Sequence, residues 1–188
     1  MRYQDLRAQL KDFRVFSISD IRKIDPQFYP ARLTEWQKKG YIKKVRRGYY
    51  IFADTVLDEE ALFLIANRLY APSYISFESA LSYYGLIPEG VYSITSASSK
   101  KTSRFRTQIA EFTYRKIKPQ FLFGYSLQKQ GDQSYKIAEI EKAVLDYVYL
   151  NPKIAQDADF YEWRFNSHEF LSRANIPKLH EYAIVFGN

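Results

Sequence analysis

The sequence predicts an α+β protein in two parts: a small helical unit ending in a basic hairpin, then a larger mixed domain. Three observations predict it. Residues 17–52, SISDIRKIDPQFYPARLTEWQKKGYIKKVRRGYYIF, pass from helical spacing to strand texture within one short stretch. The net positive charge is confined to the first part, where residues 1–54 hold 13 Lys and Arg against 6 Asp and Glu while the other 134 residues hold 15 of each sign. Beyond residue 58 a helical pattern gives way to strands over about residues 91–138, and then helical spacing returns.

The first part is read element by element. Leu6, Leu10 and Phe13 give one apolar face to a helix over roughly residues 2–12. Ser17 is placed to cap a second helix, residues 18–24, with Asp20 favouring its positive end and Ile18, Ile21 and Ile24 pointing inward. Pro26 and Pro30 punctuate the turn. The third helix begins at Pro30, buries Leu33 and Trp36, and ends at Gly40. Residues 41–45 and 48–52 read as two strands joined through Arg46-Arg47-Gly48, with Tyr41, Val45, Tyr50 and Phe52 sharing the packed side. Helix, helix and tight basic hairpin in that order form the pattern of a winged helix-turn-helix, which sets one helix in the DNA major groove and a hairpin beside it.

Residues 54–58 read as a short boundary, giving one domain over 1–54 and a second over 58–188. In the second, Asp58-Glu59-Glu60 opens a helix carrying Leu62, Ile65, Ala66 and Leu69. Ser76 is placed to cap another, residues 77–84. Strands are expected at VYSITSA (91–97), EFTYRKI (111–117), FLFGYSL (121–127) and QSYKIA (133–138), with a hairpin turn at Gly131-Asp132. Helix 139–150 presents Ile140, Val144, Leu145 and Val148 on one face, with Asp146 on the exposed side. Two or three helices follow, one starting at Ser167 and a break falling at Asn175-Ile176-Pro177.

Composition narrows the chemistry. There is no cysteine, and the two histidines, His168 and His180, lack partners at metal-ligand spacing, so neither a metal nor a cofactor is expected. No apolar run is long enough for a membrane span and no signal-peptide core opens the chain, so the expectation is a cytoplasmic protein without membrane contact. No nucleophile elbow, P-loop or dinucleotide-binding fingerprint occurs. The carboxylates Glu78, Glu111, Asp132, Glu139, Glu141 and Asp146, with Lys142, form no nuclease-like series, so an enzyme is not expected.

A localised positive field recruits a polyanion and speeds its arrival. The candidate DNA-binding residues are Tyr29, Arg32, Glu35, Lys38 and Lys39 on the third helix and Lys43, Lys44, Arg46 and Arg47 in the hairpin. Arg32 is the best base reader, because a guanidinium meets guanine O6 and N7 bidentately. Lys38 and Lys39 suit phosphate. The competing reading is ordinary solvated charge, with Lys43 and Lys44 guarding a strand edge. A second basic cluster, Lys100, Lys101, Arg104, Arg106, Arg115, Lys116 and Lys118, stands against Glu111 alone. It is either a second nucleic-acid or partner surface or a solvated loop balanced by acids elsewhere. The tyrosine-rich residues 73–86 are read as core with hydroxyls at its rim.

KVRRGYY (44–50), YISFESALSYYGLI (74–87) and YKIAEIEKAVLDY (135–147) together resemble the AbiEi-type antitoxins of type IV toxin–antitoxin systems, known from abortive infection, over about residues 10–150. The resemblance implies a bacterial antitoxin and transcriptional autorepressor. Its N-terminal domain would bind inverted repeats of double-stranded promoter DNA, and its α+β antitoxin-like domain would counteract a nucleotidyltransferase-like toxin. A stand-alone regulator without a toxin remains the alternative.

Overall fold

The computed structural model describes residues 1–88, 92–154 and 156–187. Helix α1 (Tyr3–Gln9) is followed by a two-residue strand, β1 (Phe16–Ser17), and by α2 (Ile18–Ile24). Ser17 caps α2. Its hydroxyl accepts from the Asp20 amide at 3.2 Å, and its own amide donates to the Asp20 carboxylate at 2.8 Å. Ile21 is buried, but Ile24, expected inside, is 37% exposed because the helix ends there and no further turn covers it. Helix α3 (Ala31–Lys38) buries Leu33 and Trp36, with Pro30 just outside as its N-cap residue, and Gly40 ends it in the left-handed region at φ 72°.

Strands β2 (Ile42–Arg46) and β3 (Tyr49–Phe52) form the hairpin, with Gly48 at φ 84° in its turn and β1 on the far side of β3. The expected sharing of faces is wrong here. Ile42, Tyr50 and Phe52 pack with Phe16, Leu6 and Trp36 in one core, whereas Val45, Ile51 and Val15 belong to the core of the second part. Tyr41, expected to be packed, is 41% exposed. Strand β3 is buried on both faces, so the alternation that normally separates core from water there separates one core from another.

After Asp58, whose carboxylate accepts from the Ala61 amide at 2.8 Å, come α4 (Glu59–Leu69), β4 (Ser73–Ile75), α5 (Glu78–Tyr83), β5 (Ser93–Ser98), β6 (Ser103–Arg106) and β7 (Glu111–Lys116). A 3₁₀ turn at Pro119–Phe121 leads to β8 (Tyr125–Gln130), β9 (Gln133–Ala138), α6 (Ile140–Leu150), α7 (Asp157–Glu162), α8 (Ser167–Arg173) and α9 (Ile176–Phe186). Six strands make one mixed sheet in the order β6-β7-β5-β4-β9-β8. Strands β4 and β6 were not expected. The strand expected from Phe121 starts only at Tyr125, because Pro119 and Phe121 form the 3₁₀ turn. Residue 91, placed at the head of the β5 strand, lies outside the described residues.

Register assigns the faces. Tyr74, Ala97 and Arg115 lie side by side on one face, and Ile75, Ser96 and Tyr114 on the other, judged by their pairing and the period of two. Tyr114 donates its hydroxyl to the Ala66 carbonyl of α4 at 2.7 Å, whereas Arg115 reaches Glu78 of α5 at 2.7 Å. Helix α4 therefore covers one face, and α5 with α6 the other. The N-terminal unit joins the α4 side: Asp20 pairs with Arg68 at 2.7 Å, and the Arg14 amide donates to Gln133 at 3.0 Å.

Ser76 does not cap α5. Its hydroxyl donates to Asp146 at 2.8 Å, and Phe77 holds the N-cap position at φ 57°. Thr95 of β5 does the work instead, accepting from the Ser79 amide at 2.9 Å and donating to the Ser76 carbonyl at 2.7 Å. Helix α9 crosses the far end, where a Cβ on Gly124 would lie 2.9 Å from the Tyr182 ring and 3.0 Å from Lys142, at φ 67°. Only glycine allows that approach.

One phenol ties the end of α5 to β9, and another ties α9 to the start of α6. Tyr84 donates to the Ala138 carbonyl at 2.8 Å, and Tyr182 donates to Glu139 at 2.7 Å. Burial pushes Tyr84 up to about 12, and burial together with the Glu139 carboxylate pushes Tyr182 up to about 12. A phenol whose folded value exceeds its unfolded value of 10 stabilises the fold below that pH and loses this contribution as pH rises through the folded value. Denaturant stability followed against phenolate absorbance is expected to fall between about pH 10 and 12, with Tyr84→Phe flattening the fall.

Candidate nucleic-acid interface

The N-terminal surface is built from α3 and the hairpin, which pack against each other. Tyr29, just before α3, is 71% exposed. Arg32 is also exposed, with its guanidinium donating to the Met1 carbonyl. The Lys39 ammonium donates to Glu35 at 2.7 Å. It holds the Glu35 carboxyl below the usual carboxylate range, and the carboxylate raises the ammonium in return. Lys38, Lys43, Lys44 and Arg47 are exposed, and none makes an ion pair among the described residues. These four are the free cations of the face.

Arg46 sits differently from its neighbour. The pairing of β2 with β3 shifts register between Lys44 and Arg46, and this bulge turns Arg46 inward, half-buried. Its guanidinium lies 3.6 Å above the Phe105 ring of β6 and donates to the Leu69 carbonyl at the end of α4 at 3.2 Å. Sequence spacing gives Arg46 and Arg47 the same role. The structure places one against β6 and the end of α4 and the other in water.

The second basic cluster divides as well. Arg104 and Arg106 both pair with Glu111, which they hold below the usual carboxylate range, and Arg115 pairs with Glu78. Lys100 lies over the Tyr70 ring at 5.5 Å and Lys118 over the Phe121 ring at 5.7 Å, while Lys101 and Lys116 are exposed. Three of the seven cations are thus balanced by two carboxylates. On this same face of the sheet, Glu78, Thr95, Arg104, Glu111, Thr113 and Arg115 line an open cavity of about 650 Å³. Tyr147 and Trp163 wall it, with their rings stacked at 4.2 Å.

Sequence reasoning missed one cluster altogether. Asp146, expected on an exposed face of α6, is fully buried together with Lys142. Lys142 Nζ donates to Asp146 and, at 2.8 Å, to the Tyr74 hydroxyl. Asp146 also accepts from Tyr74 at 2.7 Å and from Ser76 at 2.8 Å. Phe123 and Phe186 pack on the ammonium at 5.1 and 4.9 Å. Burial pulls the Lys142 ammonium down and pushes the Asp146 carboxyl up, so each charge is what keeps its partner ionised. The signal in the sequence is a Lys and an Asp four residues apart on a largely apolar helix. With no exposed atom, the cluster is a tie between β4 and α6, not a reaction centre.

The other carboxylates are dispersed. Glu139 binds Tyr182 and Lys178, Glu141 accepts the Asn175 amide at 2.6 Å, and Asp132 is exposed in the hairpin turn. Among the described residues no three His, Asp or Glu side chains are grouped to hold a metal ion, and no helix is long and apolar enough to cross a membrane. Neither protein-family models nor curated proteins match the chain.

Removing one member of a buried pair strands the other. Lys142→Met is expected to cost about 3–5 kcal/mol in a denaturant titration, and the double variant Lys142→Met with Asp146→Leu to recover most of that loss.

Proposed function

We propose that the chain is a DNA-binding transcriptional regulator whose residues 1–54 act as a winged helix-turn-helix, with α3 entering the major groove and the β2–β3 hairpin as the wing. One observation carries the reading. Four exposed cations without ion pairs, Lys38, Lys43, Lys44 and Arg47, gather at the end of α3 and along the adjoining hairpin. Such charges bind phosphate by releasing counterions, whereas paired charges have less to gain. Arg32 on the exposed side of α3 is the base-reading candidate.

The role of antitoxin and autorepressor against a nucleotidyltransferase-like toxin rests on the resemblance over residues 10–150. Its test is rescue of growth when the chain is produced together with the toxin encoded beside it. DNA binding without rescue favours the stand-alone regulator. A metal-dependent nuclease gains no support from carboxylates committed singly to Arg115, to Arg104 and Arg106, and to Lys142.

Fluorescence anisotropy over a salt series tests the interface. Lys43→Ala with Lys44→Ala is expected to weaken every duplex alike and to lower the salt slope by about two. Arg32→Ala is expected to cost about 1–3 kcal/mol on the promoter repeat and to relax base preference. An unchanged slope in the double variant removes the wing from the interface.

A further inference from the structure

Arg46 and Arg47 are adjacent in a hairpin tip, yet only Arg47 is free to meet a duplex. Arg46 is held from two directions. Its guanidinium covers the Phe105 ring at 3.6 Å, and it donates to the Leu69 carbonyl, one of the acceptors left open where α4 ends. Phe105 is itself fixed, edge-on to Tyr70 at 5.7 Å and tilted against Tyr114 at 5.4 Å. The bulge between Lys44 and Arg46 is what aims the side chain there, since it brings Arg46 in behind Val45 on the side facing the second domain.

We propose that Arg46 is a positioning residue and not a DNA contact: clamped on Phe105 and the end of α4, it fixes the angle at which the hairpin presents Lys43, Lys44 and Arg47. DNA affinity is thereby placed under the control of the edge strand β6, in the second domain. Strand β6 carries Phe105 on the hairpin side and Arg104 and Arg106 on the opposite face, where Arg104 lines the cavity. A change at β6 is therefore felt at the wing. The inference rests on the DNA-binding reading of the hairpin, and the experiment separates the two.

The full-length chain is titrated onto a short mixed-sequence duplex over a salt series, and hydrogen exchange of the amides of residues 44–48 is followed without DNA. Arg47→Ala is expected to lower the salt slope by about one. Phe105→Leu, which changes no charge and keeps the site filled, is expected to speed exchange at residues 44–48. It should also weaken the duplex roughly 2- to 30-fold, the span of a cation–π contact, without altering the slope. Arg46→Lys, which keeps the charge and loses the planar stack, is expected to behave as Phe105→Leu does. The proposal is overturned if Phe105→Leu leaves exchange and affinity at their wild-type values, or if Arg46→Ala lowers the slope as Arg47→Ala does. Absence of salt-dependent binding by the wild-type chain sinks the DNA reading alone, since the exchange measurement still decides whether Arg46 and Phe105 hold the hairpin.

Discussion

The arrangement of this molecule depends on burial of the hairpin's second face. A three-stranded sheet with three helices on one side normally leaves its other side wet. Here Val15, Val45 and Ile51 continue into the core formed by α4 and the six-stranded sheet. Apolar area removed from water between the two parts makes their relative placement a property of packing and not of the short segment joining them. The ion pair from Asp20 to Arg68 and the Arg46 clamp then act at the rim of an interface whose middle is dry.

The same constraint sorts the cations. A positive charge near a nucleic acid contributes through the counterions it displaces, so its value depends on whether a protein carboxylate or carbonyl has already claimed it. By that criterion Lys38, Lys43, Lys44 and Arg47 differ from Arg46, and Lys101 and Lys116 differ from the arginines held by Glu111 and Glu78. Net charge per segment, the quantity a sequence offers most readily, counts both kinds alike.

Much of the first part was legible because its signals are local. Ser17 with Asp20, Gly40 after α3 and Gly48 in the turn each report a backbone requirement that neighbours cannot override. The face assignment of the hairpin was not legible, since Val45 and Ile51 turn away from Tyr50 and Phe52 only because the second part covers that side. In the second part, β4 and β6 are only three and four residues long and lie in stretches read as tyrosine-rich core and basic loop. Ser76 looked like a cap because serine before a helix usually is one, but a buried carboxylate competed for its hydroxyl and Thr95 replaced it from another strand. Asp146 was misplaced for the matching reason: charge on a helix normally means water, and only Lys142, Tyr74 and Ser76 together make burial tolerable.

Helix α9 has no fully buried residue, yet Phe186 and Tyr182 roof the Lys142 ammonium and close over Gly124. Its inner and outer surfaces therefore live under different rules of drift. Exchanging Ile184, which is 72% exposed, alters little that the fold depends on. At Gly124 any side chain would meet the Tyr182 ring and Lys142 on a backbone that itself favours glycine, so this position is held from two sides while its neighbours across the helix are not.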